Sequence, residues 1–147
     1  MGLLLLNSLA AQVPQIINYQ GRITVRRSNF NGQGQFKFSL VNSNGTVTFW
    51  SNDGTGVSGA EPKGIVPVLV DKGSYAVALG DTAIPNMTPI PIMVFTNTDV
   101  RLRVWFSDGN TRKATCNSET ALSQPNLLAG QVSATYYLCL RKNHLEE

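Results

Sequence analysis

Gln35-Phe36-Lys37-Phe38-Ser39-Leu40-Val41-Asn42-Ser43-Asn44-Gly45-Thr46-Val47-Thr48-Phe49-Trp50 (QFKFSLVNSNGTVTFW) carries the pattern on which the fold depends. Its first half alternates polar and apolar residues, so Phe36, Phe38 and Leu40 share one face of an extended strand. Asn44-Gly45 predicts a tight type I′ hairpin, because both central positions of that turn need positive φ. The returning strand from Thr46 places Val47 and Phe49 toward the core and Trp50 on the opposite face. Beyond it, Ser51-Asn52-Asp53-Gly54-Thr55-Gly56 opens a Gly-rich segment over 51–64, read as a long loop of the kind that often carries function.

The same period repeats outward. Residues 16–25 alternate around Gly21 as a first strand, and Asn31-Gly32-Gln33-Gly34 is expected to turn before the second. Residues 65–70 form an apolar strand whose Pro67 suits a sheet edge or a bulge. Asp71-Lys72-Gly73 is expected to turn into a strand over 74–79. Pro85, Pro89 and Pro91 exclude a regular helix or central strand over 81–95, leaving a long connection with one helical turn near Met93. Residues 99–106 alternate again and are closed by Ser107-Asp108-Gly109-Asn110; after a polar stretch, 132–140 supply the last strand. About seven short strands separated by turns predict an all-β, antiparallel β-sandwich of jelly-roll or immunoglobulin-like type, with minimal helix.

The 147 residues suit one domain, divided as a signal-like segment 1–12, a sandwich over 13–140 and a tail at 141–147. An apolar content of 42% with only 14% charged residues excludes a disordered chain. The net charge of +3 is scattered over Arg26-Arg27, Arg101, Arg103, Arg112-Lys113 and Arg141-Lys142. Without a continuous basic stripe and interleaved aromatics, nucleic acid is not an expected partner. Cys116 and Cys139 lack C-x-x-C spacing; export would allow them to pair without requiring it, and unpaired Cys139 is a small buried hydrophobe. Met1 to Gln12, a short apolar run followed by small residues, reads as the end of a secretory signal. A secreted or cell-surface location, periplasmic or extracellular, is therefore expected. The apolar run is too short to span a bilayer.

Five segments together carry a family resemblance. They are Val13-Pro14-Gln15-Ile16-Ile17-Asn18-Tyr19-Gln20-Gly21-Arg22, Gly34-Gln35-Phe36-Lys37-Phe38-Ser39-Leu40-Val41-Asn42, Phe49-Trp50-Ser51-Asn52-Asp53-Gly54, Leu79-Gly80-Asp81 and Asp99-Val100-Arg101-Leu102-Arg103-Val104-Trp105-Phe106. Over residues 13–109 the chain resembles the N-terminal β module of exported bacterial fibre-like, collagen-like or tail-fibre-type proteins. The resemblance implies an extracellular or surface-associated setting and no reaction. After Asn110 the chain departs from that pattern, which continues with a Pro-Asp-Gln-Arg-type strand and a repetitive stalk. The departure reads as a truncated frame, so nothing of the stalk's role transfers.

Catalytic signatures are scarce. His144 lies in a charged tail, and Gly56-Val57-Ser58-Gly59-Ala60 lacks the spacing of a nucleophile elbow. Too few Cys and His are present for zinc. Oxygen donors are plentiful, and calcium takes six to eight of them. Asn52, Asp53, Asp81, Asp99 and Asp108 all fall at expected strand ends, where loops cluster, and are the candidate Ca²⁺ ligands; the alternative is that they only form turns. A bound ion would activate water and polarise an ester or lactone, with Asp53 or Asp81 as base. In size and lack of hydrolase motifs the chain is similar to calcium-dependent lactonases recovered from metagenomes, which implies N-acyl-homoserine lactones and quorum quenching. A third reading is carbohydrate binding through Trp50, Trp105, Tyr136 and Tyr137. The leading expectation is an exported β-sandwich structural or interaction module; the partners weighed are a second copy, a small lactone or ester, and a glycan.

Overall fold

The computed structural model describes residues 15–25 and 27–109, and the backbone of 116–122, 131–133 and 137–139. The protein is an all-β sandwich of two sheets. The first is built on β1 (Ile17–Val25). Antiparallel to it run β6 (Ser74–Leu79), against 17–22, and the two-residue β2 (Ser28–Asn29), against 24–25. The short strands β9 (Gln131–Ser133) and β10 (Tyr137–Cys139) join β1 in parallel. The second sheet is built on β3 (Gly32–Val41). On one side β3 pairs with β7 (Val100–Ser107), which pairs in turn with β8 (Cys116–Leu122). Its other side is shared end to end by β5 (Val66–Val70), on 32–36, and β4 (Thr48–Ser51), on 39–41. Pro67 is thus exposed on an edge strand, where its missing N–H costs no ladder bond.

The core between the sheets is aromatic. Tyr19 of β1 meets Phe38 of β3 edge-on at 6.3 Å, and Tyr75 of β6 lies 4.5 Å from Phe36. Phe36 also meets Phe106 of β7 at 5.0 Å. The alternating Phe36, Phe38 and Leu40 are all fully buried, as the pattern predicts. This seam explains why Asn31-Gly32-Gln33-Gly34 does not turn. The strand begins at Gly32, and a Cβ on Gly34 would lie 2.6 Å from the Phe36 ring and 2.8 Å from Phe106. Gly34 makes room for rings inside a strand.

The turn chemistry is redistributed. Of Asn44-Gly45, Gly45 has positive φ (68°) and Asn44 does not, so no type I′ turn forms there. Gly45 N–H donates to the Asn42 carbonyl at 3.0 Å, and Asn42 Oδ1 accepts from the N–H groups of Thr46 and Val47, each at 2.9 Å. Side-chain acceptors offer the backbone an alternative to the ladder, and the connection lengthens to 42–47. A register shift between Leu40 and Val41 then changes the phase of β4. Because the side-chain period is two, the change exchanges faces: Val47 is 47% exposed, while Trp50 stands opposite Leu40 and is 5% exposed. A type I′ turn forms instead at Lys72-Gly73, with φ of 48° and 84°. There Asp71 and Ser74 exchange both backbone hydrogen bonds, and the chain passes from one sheet to the other.

The Pro-rich connection buries Met87, Ile90 and Val94 and holds the expected helical turn, a 3-10 helix over Ile92–Thr96. The polar stretch after Asn110 supplies β8, and the expected last strand is represented by two short ones, β9 and β10. The signal-like segment, the tail, His144, Tyr136 and the side chains of Cys116, Tyr137 and Cys139 lie outside the described residues.

Candidate functional site

Asn52 and Asp53 follow directly on β4 and anchor the long loop 52–65. Asn52 is fully buried. Its N–H donates to the Phe38 carbonyl, and its Oδ1 accepts from the Phe38 N–H, both at 2.9 Å. Nδ2 donates to the carbonyls of Gly64 (2.9 Å) and Asn86 (3.0 Å). Its own carbonyl accepts from Thr88 N–H at 2.6 Å. One side chain thus joins β3, both ends of the loop and the Pro-rich connection, with both amide donors and the amide oxygen engaged.

Asp53 closes the loop. Its Oδ1 accepts from Thr55 N–H at 2.9 Å and from the Thr55 hydroxyl at 2.7 Å, and Oδ2 accepts from the Gly64 N–H. The Thr55 hydroxyl in turn accepts from Lys63 N–H at 2.8 Å. Residues 53 and 64 are thereby held together as the neck of an Ω-loop. Burial acts to raise the Asp53 carboxyl, but hydrogen bonds from Thr55 and Gly64 favour the charged form and hold it below the ordinary carboxylate value.

The loop then lies on the outer face of the second sheet. Gly59 has φ of 76°, and a Cβ there would come within 1.8 Å of the Gly45 carbonyl oxygen. Only glycine allows loop and hairpin to touch backbone to backbone. Gly59 N–H donates to Thr48 Oγ1 at 2.8 Å, and Arg103 Nη1 donates to the Gly59 carbonyl at 2.9 Å. Lys37 pairs with Glu61 at 2.8 Å. Arg101 and Arg103 are half-buried beneath this loop face, and the Arg103 guanidinium lies 5.9 Å from the Trp105 ring.

The remaining candidates are dispersed. Asp81 follows β6 in the first sheet, where Oδ1 accepts from Ala83 N–H at 3.0 Å. Asp99 precedes β7, and its Oδ2 accepts from Ser43 N–H at 3.0 Å. Hydrogen bonds from the Ser43 hydroxyl and backbone, with the Arg101 charge, hold Asp99 below its ordinary value against a small opposing burial effect. Asp108 follows β7 at its other end. At about 3.3 Å per residue, Asp99 and Asp108 stand about 30 Å apart and cannot share an ion. Among the described residues, no three His, Cys, Asp or Glu side chains come together as metal ligands. Trp50 and Trp105 are both buried, and the Trp50 indole N–H donates to the Thr88 carbonyl at 3.2 Å. Thr55 and Gly64 belong to the Gly-rich segment that the sequence marks as a loop; Asn86 and Thr88, which complete the junction, lie more than thirty positions from Asn52 and carry no local signal linking them to it.

A family model described as a domain of unknown function (DUF8740) matches residues 18–120. The chain belongs to that family. No curated protein and no solved structure matches it.

Proposed function

We propose that this member of the DUF8740 family is an exported β-sandwich module with a structural or interaction role in a surface or fibre-type protein. The observation that carries the reading is the use of the Asn52 and Asp53 polar atoms within the fold: they tie a loop to a sheet. A rigid loop held against a sheet face is a surface suited to contact.

Two measurements test it. Placed behind an intact secretory signal, the chain is expected to accumulate folded in the periplasm with a protease-resistant core over 17–107; loss of that core contradicts a stable exported module. Incubated with N-acyl-homoserine lactones, the purified protein is expected to leave the ring closed with calcium or with chelator. Chelator-sensitive opening that disappears in Asp53→Ala and Asp81→Ala would establish a calcium-dependent lactonase instead.

A further inference from the structure

A separate concavity of about 230 Å³ opens on the outer face of the second sheet, beside the Ω-loop. Its floor comes from neighbouring register pairs of the two central strands, Lys37 with Trp105 and Gln35 with Ser107. Its wall comes from Glu61 and Ile65 of the loop. We infer that this pocket binds one hydroxyl-rich six-membered ring, a pyranose.

Four features set that ligand class. The volume falls below the ~300–1,000 Å³ of drug-sized sites and suits a single small ring. Ile65, which is exposed, supplies apolar surface against which the C–H face of a sugar packs, and the largely buried Trp105 closes the floor beneath it. The Lys37 ammonium and Glu61 carboxylate, 2.8 Å apart, put a charged donor beside a charged acceptor, matching adjacent hydroxyls that each donate and accept. Gln35 and Ser107 extend the polar rim. The ion pair neutralises itself, so the pocket favours a neutral polyol over an isolated anion or cation. Trp50 takes no part, because it is buried in the core on the inner face.

The test is a titration of the whole chain with methyl pyranosides of glucose, galactose, mannose and N-acetylglucosamine. Binding is read by calorimetry and by the indole proton resonances. At least one pyranoside is expected to bind with millimolar affinity and to shift the Trp105 indole signal while leaving Trp50 unmoved. Glu61→Gln and Lys37→Met are each expected to weaken binding by about tenfold, the effect of one hydrogen bond to a charged group. Glu61→Gln should melt near the parent, since the Glu61 side chain is 46% exposed and the amide keeps an acceptor for Lys37. Failure of all four pyranosides to bind overturns the proposal. So does binding that moves Trp50 rather than Trp105, or that ignores both substitutions.

Discussion

Asn52 and Phe38 are hydrogen-bonded to each other in both directions, the Asn52 N–H to the Phe38 carbonyl and the Phe38 N–H to Asn52 Oδ1, each at 2.9 Å. The amide side chain thus stands where the backbone of β4 would have continued, and extends the edge of β3 by one pair after β4 has ended. A buried backbone N–H must find a partner, and here it depends on one side chain.

Asn52→Ala is expected to destabilise the protein by about 3 kcal/mol, because it orphans the Phe38 N–H and the Gly64 and Asn86 carbonyls in a buried site. Chemical denaturation of parent and variant measures the loss. A change below about 0.5 kcal/mol, the size of a neutral surface substitution, would contradict the role given to Asn52.

Asp53→Ala is expected to cost about 1–2 kcal/mol, through the lost acceptors for Thr55 and Gly64, and Asp81→Ala less, since its Oδ1 accepts a single local N–H. The Asp53 effect should depend on pH. Its folded carboxyl lies below the ordinary value of 3.8, so its contribution is fully present above that value and lost as pH falls through the folded one. Melting curves of parent and variant should therefore converge in strong acid. A gap that stays constant from neutral pH to strong acid would contradict the latch.

Gly34→Ala is expected to destabilise by about 1–3 kcal/mol or more through overpacking, since the new methyl meets the Phe36 and Phe106 rings. Gly32→Ala meets no atom, and its cost comes instead from positive φ. Comparing the near-ultraviolet circular dichroism of the two separates them: Gly34→Ala should perturb the aromatic signal and Gly32→Ala should not.

The elements readable in the sequence were those set by short-range period and steric limits. Phe36, Phe38 and Leu40 fell on the core face, the Asp71-Lys72-Gly73 turn formed, and Pro67 took an edge. What escaped was set by contacts between distant residues. Asn44-Gly45 has the composition of a type I′ turn, but Asn42 and Asn44 captured the backbone with their side chains, and the bulge that followed turned Trp50 inward. Gly32 and Gly34 look like turn residues until Phe106, far along the chain, comes to lie against Gly34. β8 has no apolar alternation to announce it and is placed by pairing with β7. The Asp and Asn residues do lie at strand ends, but whether loop oxygens converge depends on topology. Asp99 and Asp108 illustrate this, since they flank one strand from opposite ends.

The most direct test of the central claim is thermal unfolding of Asn52→Asp, with calcium and with chelator. The substitution keeps the shape of the side chain, adds a buried charge, and removes the two donors that meet Gly64 and Asn86. If Asn52 is a hydrogen-bonding hub, the variant melts well below the parent in both solutions, and calcium shifts neither protein. If the junction is instead a calcium site, the added carboxylate strengthens it. The variant would then melt at or above the parent when calcium is present and drop when the ion is chelated, and that result would contradict the account.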